Sequence, residues 1–309
     1  NAVLDGFTIR RGGNPSDLGN GGGMVIAGVE NLQVSGCTFA DNAVSESYGY
    51  GGGLYVSDVG SSVVIQDCTF ANNRARYGGG IALKNATARV ERCTVQGNTA
   101  YNGGGLYSYD EDASLVTDTT IDGNSASWGG GGIFIAAAAV PAKPTAPVLD
   151  GCVVSNNTAS TGGGLYSGDL CNPVITRSRF TGNNYGGATF RGTTNFGNIA
   201  PVIRFSAFDG NTGTGVSFSD SSSGAPELSY SSASGNCGTG IHVSSVRPIS
   251  LTGESMLIRG CIAARNTGSG VGISASDVFM TGCTITKNVA TSGAAQIGRA
   301  SCRERVCYV

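Results

Sequence analysis

The chain has 309 residues, of which 51 are glycine; only 13% are charged, and the formal net charge is −2. That balance excludes the basic footprint of a nucleic-acid-binding protein. No run approaches the ~18 consecutive apolar residues that a spanning helix needs. The chain begins inside a repeat, with no signal-like segment ahead of it, and reads as a piece of a longer protein.

One phrase recurs along the chain. Its clearest copy is Gly51-Gly52-Gly53-Leu54-Tyr55-Val56, followed by Val63-Val64-Ile65-Gln66-Asp67-Cys68-Thr69-Phe70-Ala71-Asn72-Asn73. The closing Asn returns at Asn42, Asn73, Asn98, Asn124, Asn157, Asn183, Asn211, Asn236, Asn266 and Asn288, at intervals of 22 to 33 residues. Such a period is the signature of a solenoid. Three residues before each Asn stands an apolar residue, such as Phe39, Phe70, Val95 or Ile121. Five before it stands Cys, Ser or Thr in every copy: Cys37, Cys68, Cys93, Thr119, Cys152, Ser178, Ser206, Ser231, Cys261 and Cys283.

In chain order, a partial unit over 4–9 precedes the first full one, and units two to six, about 43–183, are the most regular. A glycine corner precedes each resuming strand, as at Gly78 to Gly80 and Gly103 to Gly105, and thins later to Gly213-Thr214-Gly215. A glycine fixed in every unit marks positive φ or a close backbone approach. After the corner, inward residues alternate, Leu54 and Val56, Ile81 and Leu83, at strand spacing. No window sustains a 3.6-residue pattern, so helices are not expected.

Short strands and turns without helices bury an apolar side only by coiling, each rung pairing in parallel with the next. The fold expected is all-β: one right-handed parallel β-helix over 1–296, about ten rungs and roughly 50 Å long at ~4.8 Å per rung. A left-handed coil would require a strict hexapeptide period, which is absent. The Asn column belongs inside a bend, amides bonding along the stack. The Cys column is read as small buried residues, not a disulfide framework, with Cys171 and Cys237 off the column in turns.

Long insertions at 136–146, 191–200, 219–225 and 244–255 fall between the same two strands and are expected to project from one side. Residues 297–309 break every rule of the repeat and resemble a translated sequencing adapter; they are read as a non-native tail.

Candidate functional residues are few. Outward positions after the corner carry Tyr55, Tyr107, Phe134 and Tyr166, and a second set before it carries Tyr50, Tyr77, Tyr101 and Trp128. Together they predict an exposed aromatic face on units two to six. Either the rings offer a platform for a sugar or a protein partner, or they stack on one another and shield the sheet. Asp67, Arg92 and Asp118 share one register and suggest a cross-rung ion-pair ladder. A catalytic alternative draws on Asp118, Asp150, Arg177 and Arg204, as a polysaccharide lyase or glycoside hydrolase needs clustered carboxylates and a base. Asp110-Glu111-Asp112 is read as a solvated turn in preference to a Ca²⁺ loop, and His242 as a surface residue. No CxxC pair calls for zinc, and the glycine runs precede strands, so a phosphate cradle is not supported. No cofactor or metal is expected.

The Gly-Gly-x-apolar steps (Gly22-Gly23-Met24, Gly52-Gly53-Leu54, Gly79-Gly80-Ile81, Gly163-Gly164-Leu165) and the Phe-x-x-Asn steps (Phe39 to Asn42, Phe70 to Asn73, Phe180 to Asn183) resemble those of bacterial polymorphic outer membrane proteins and related right-handed β-helix surface proteins. Later units depart, with Ala233 and Ala263 in place of Phe. The resemblance implies a secreted or surface-displayed, non-catalytic module of a larger bacterial protein, outer-membrane associated, that binds glycan or a surface protein in an adhesin-like role. The alternative is a carbohydrate-active enzyme of the pectate-lyase-like β-helix type.

Overall fold

The computed structural model describes residues 2–13, 19–138, 143–192, 199–220, 224–246, 256–274, 276 and 278–289. The four insertions lie partly, and residues 297–309 wholly, outside the described residues.

The chain coils as a parallel β-solenoid with three sheet faces. The first face has eleven strands, from Ala2–Asp5 to Val278–Thr281, and the third has ten, from Met24–Ala27 to Val271–Ser274. The second face runs through eight strands, from Thr8–Arg10 to Ala207–Asp209. It continues by the bridges Ala207 to Ser232 and Ser232 to Ile262 to a last pair, Ile262–Ala264 and Thr284–Thr286. Every pairing is parallel and places like positions side by side, as in Phe39 beside Phe70 and Val90 beside Ile65. No helix occurs among the described residues.

Register turns the repeat into a core. Val34, Ile65, Val90, Val116, Leu149, Ile175 and Ile203 form one fully buried column inside the first face. Phe39 stacks on Phe70 at 4.9 Å between centroids, as Phe180 does on Phe208, and Phe190 stacks on Phe218 at 5.2 Å. Each such side chain contributes about 1.5–3 kcal/mol by burial.

The Asn column closes the bend after the second face as expected. Each amide accepts and donates along the stack. Asn98 Nδ2 and the Asn98 backbone N–H both donate to Asn124 Oδ1 at 2.9 Å. Asn124 Nδ2 in turn donates to Asn157 Oδ1 at 3.0 Å and to the Val95 carbonyl at 2.9 Å. The same links run from Asn42 to Asn288.

The Cys column proves to be more than small and buried. Its thiols are free and hydrogen-bonded: Cys68 Sγ donates to the Gln66 carbonyl at 3.1 Å and Cys93 Sγ to the Glu91 carbonyl at 3.3 Å. Ser178, Ser206, Ser231 and Thr119 make the same bond, at 2.8 to 2.9 Å, to the carbonyl two residues back. The position therefore selects a short side chain that donates, which is why Cys, Ser and Thr interchange there and Ala does not appear.

The residue before each of these, where the charge column lies, holds positive φ: Asp67 at 54°, Arg92 at 50°, Asp118 at 48°, Arg177 at 48°, Phe205 at 52° and Tyr230 at 49°, with Gly36 and Gly151 in the same register. It is a left-handed turn position before it is a charge position. The expected ladder forms only in part. Arg92 clasps Asp67 with two bonds of 2.8 Å and also meets Glu91, while Asp118 joins no ion pair among the described residues.

One further expectation is corrected. The acidic loop is not a solvated turn of three carboxylates. Asp110 pairs with Lys84 at 3.6 Å, but Asp112 turns inward and is fully buried, accepting hydroxyl bonds of 2.6 Å from Ser108 and from Ser114. His242 is only half-exposed on the outer side of the third face, between the buried Ile241 and Val243, and desolvation lowers its pKa.

Burial raises the Asp112 carboxyl to about 6, against the two Ser bonds that favour its charged form. In the unfolded chain it ionises near 3.9. Between those values the folded state keeps a proton that the unfolded state loses, so this group's contribution falls as pH rises from about 4 through about 6. The cost at neutral pH is about 3 kcal/mol. Asp112→Asn is therefore expected to raise the urea midpoint at pH 7.5 and to change it little at pH 4. An equal shift at both pH values would show that the carboxyl does not titrate as stated. Asp67, Asp150 and Glu227, whose pKa values are lowered mainly by Arg92, Arg177 and Arg204, act with the opposite sign: their contribution is lost as pH falls.

Candidate functional site

The early units spend more residues between the Asn and the glycine corner, and those residues pair. Strands Thr99–Asn102 and Ser125–Gly129 run parallel. Bridges extend them to Ala43, Arg74, Tyr50 and Tyr77 on one side and to Thr158 and Thr161 on the other. This ribbon stands beside the outer surface of the third face. Later turns tighten, as from Asn211 to Val216, and no bridge extends the ribbon past Thr161 among the described residues.

The corner between ribbon and sheet holds the aromatic side chains. Tyr107, Phe134 and Tyr166 stack outward in successive rungs, at 5.6 Å and 4.9 Å between centroids. Tyr50 stacks on Tyr77 at 4.7 Å, and Tyr77 meets Tyr107 at 5.1 Å. Tyr55 packs at 6.1 Å from Tyr50, and Tyr109, which the sequence pattern did not single out, lies 5.8 Å from Tyr107.

The structure thus brings the eight expected aromatics to one region but does not expose them as one face. Tyr107 and Phe134 are 5% exposed and Tyr166 is 7%, while Tyr50, Tyr55 and Tyr77 are partly buried against them. Desolvation raises the Tyr50 phenol to about 12 and the Tyr107 phenol well above its ordinary value. Most of the expected platform is a second small apolar core, laid outside the solenoid. Bulk is traded between its two walls. The ribbon column reads Tyr50, Tyr77, Asn102, Gly129, Thr161, and the facing strand column reads Tyr55, Ala82, Tyr107, Phe134, Tyr166. Tyr50 and Tyr55 are both large, but from the next rung on, where one side swells the other shrinks. A Cβ on Gly129 would lie 3.0 Å from the Phe134 ring.

Tyr101 and Trp128 remain open to solvent, at 39% and 38%. For Trp128 the reason is register. Ala100 pairs with Ala126 but Asn102 pairs with Gly129, so the second strand carries one extra residue, a β-bulge at Ser127-Trp128. A bulge re-aims a side chain. Here it brings the Trp128 ring to 5.6 Å from Phe134 and 5.2 Å from Tyr166 while one side of it stays free.

Two cavities adjoin the bulge. One, of about 260 Å³, is lined by Trp128, Phe134 and Tyr166 with Ala137, Asp169 and Leu170 around them. The other, of about 370 Å³, takes in Ser127, Tyr101, Thr99, Arg74, Arg76 and Glu46. In it Arg74 pairs with Glu46 at 3.1 Å, and the Arg76 guanidinium lies 4.6 Å above the Tyr101 ring. The first offers an apolar floor for the flat face of a ring. The second offers cations.

The four residues of the catalytic alternative do not gather in either cavity. Asp150 is clasped by Arg177, with Nε to Oδ1 at 2.8 Å and a second bond from Nη2 to Oδ2. Arg204 binds Glu227 with bonds of 2.9 and 2.7 Å. Asp150 and Arg204 sit on the first face and Asp118 and Arg177 in its following turn; the two arginines and Asp150 are engaged in these surface ion pairs, and Asp118 joins none among the described residues. No group of three or more His, Cys, Asp or Glu that could hold a metal ion occurs among the described residues.

Comparison with known proteins bears on the fold. A metabotropic glutamate receptor-like protein R of Dictyostelium discoideum is 25% identical over 163 residues; the match covers 53% of this chain and 10% of that protein. The A-module of the Azotobacter vinelandii mannuronan C-5 epimerase AlgE4 aligns over 92% of this chain and 80% of its own, at 13% identity and a TM-score of 0.36, a likeness too slight to bear on chemistry. The family model described as the right handed beta helix region matches residues 1–118 and 79–253, well over half of the chain. Its repeats and its coil agree with that match, and the chain belongs to the right-handed β-helix family.

Proposed function

We propose that the chain is a non-catalytic, extracellular or cell-surface module of a larger protein, and that it binds glycan at the Trp128 cavity. One observation carries this reading: the bulge that holds Trp128 half-exposed over an apolar hollow backed by Phe134 and Tyr166. Sugar rings present a C–H face that suits an aromatic floor, with polar groups at its rim to take hydroxyls. Asp169 is among the residues that line the hollow. The solenoid is a rigid mount, and the buried aromatic cluster fixes the floor before any ligand arrives, which lowers the ordering cost of binding. The surface location rests on the resemblance of the Gly-Gly and Phe-x-x-Asn steps to surface-displayed β-helices.

Trp128 is the sole tryptophan of the chain, so its fluorescence reports the site directly. Titration with a panel of oligosaccharides is expected to quench or blue-shift that emission. Trp128→Ala, followed by calorimetry, is expected to weaken binding at least about tenfold, in keeping with the cost of losing an aromatic anchor. Binding that persists unchanged in Trp128→Ala would remove the cavity from consideration. Capture of a protein with no glycan bound would replace the ligand class.

A further inference from the structure

The second cavity lets the ligand be named more closely, on the footing of the glycan reading above. We infer that the site takes an acidic glycan and that Arg76 reads a sugar carboxylate.

The first ground is charge. Of the two arginines in the 370 Å³ cavity, Arg74 is neutralised by Glu46 at 3.1 Å. Arg76 forms no ion pair among the described residues, so the cavity keeps one uncompensated positive charge. The second ground is preorganisation. Arg76 Nε donates to the Tyr77 hydroxyl at 3.1 Å, and Nη1 to the Glu46 carbonyl at 3.3 Å. Its guanidinium lies 4.6 Å from the centre of the Tyr101 ring and 5.4 Å from that of Tyr77. A long, mobile side chain is thereby held in one place, while Nη2 makes no hydrogen bond among the described residues. A planar, stacked guanidinium with unused donors suits a carboxylate, which accepts paired N–H bonds in the same plane.

The third ground is continuity. Ser127 lines this cavity and Trp128 the other, and the two are consecutive residues of the bulge. Arg76 and Trp128 stand on ribbon segments two rungs apart, as Tyr77 pairs with Asn102 and Asn102 with Gly129, which is roughly 10 Å at ~4.8 Å per rung. A chain with one ring stacked on Trp128 and running along the ribbon therefore reaches Arg76 within a few units. The fixed charge also attracts polyanions from a distance, and salt screens that attraction.

The test uses the whole chain and three ligands: a hexuronic-acid oligosaccharide, the same oligosaccharide after carboxyl reduction, and a sulfated neutral oligosaccharide. Binding is read by Trp128 fluorescence and by calorimetry. The acidic form is expected to bind at least tenfold more tightly than its reduced counterpart, with the difference shrinking as salt rises. Arg76→Met, which keeps the stem and removes the charge, is expected to abolish that difference. Arg76→Lys keeps the charge, loses the fork, and is expected to recover only part of it. An unchanged thermal midpoint establishes that the variants are folded. Equal affinity for the acidic and reduced forms overturns this inference and leaves the glycan reading standing. So does a preference that survives Arg76→Met, or tighter binding of the sulfated ligand. Binding of none of the three overturns both readings together.

Discussion

Asn124→Leu is expected to cost more than about 4 kcal/mol and to leave much of the chain unable to fold at 37 °C. The two side chains are close in volume, so the loss is not a cavity effect. It arises because Asn124 sits inside the bend with every polar group engaged. Removing its Oδ1 strands the Asn98 backbone N–H and one Asn98 amide hydrogen, and removing its Nδ2 strands the Val95 carbonyl and part of Asn157 Oδ1. A buried polar group without a partner costs about 1–3 kcal/mol, and four are affected. Asn288, only half-buried in the last described rung, offers the contrast: it accepts from Asn266 and donates to the Ala263 carbonyl. Asn288→Leu is expected to cost about 1–2 kcal/mol. Urea unfolding of both variants checks the pair. Equal losses would mean that the ladder is not a cooperative buried element.

The second large effect belongs to the glycine corner. Gly104→Ala is expected to destabilise by about 3 kcal/mol or more, since overpacking here meets backbone. A Cβ at Gly104 would lie 2.5 Å from the Gly131 carbonyl oxygen and 2.5 Å from that of Ser125. Both belong to the rung above, so relief requires separating rungs that share hydrogen bonds, such as Gly104 N–H to the Gly130 carbonyl at 3.1 Å. Gly123 is the control. Its φ is +62° and nothing lies within 4 Å of the position its Cβ would take. Asn72 and Asn156 already occupy the same left-handed register in other rungs. Gly123→Asn is expected to stay within about 1 kcal/mol of the parent. Thermal unfolding of the two single variants separates close approach from positive φ as the reason for each glycine. A mild Gly104→Ala would show that the rungs have slack.

Particular residues mark the line between what could be read and what could not. The Asn column, the inward aliphatic columns and the glycine corner were all legible because a solenoid makes its long-range contacts between like positions of successive rungs. Asn98 touches Asn124 for the same reason that both close a unit, so periodicity is itself a record of tertiary contact. The donor role of the Cys, Ser and Thr column was also present in the sequence, in that the residues which interchange there are all short donors. The charge register concealed a turn, because Asp67 and Gly151 share a backbone conformation and not a chemistry.

The outward aromatics escaped that logic. Alternation places Tyr107, Phe134 and Tyr166 outside the solenoid, and they are outside it, yet they are buried. Their burial depends on a ribbon whose facing residues, Asn102, Gly129 and Thr161, lie five positions earlier in the chain, folded against them, and on which of its side chains face inward. One extra residue at Ser127-Trp128 decides that Trp128 is half-exposed and that Gly129 makes room for Phe134. A single-residue shift in a strand exchanges its two faces, and the repeat has no way to announce it. Asp112 follows the same rule, since only the packed turn shows that Ser108 and Ser114 close around it. The sequence by itself determined the coil, the columns and the ladders, because those are contacts of identical positions. The tertiary structure alone decided exposure, and with it the site, because exposure arises where unlike segments meet.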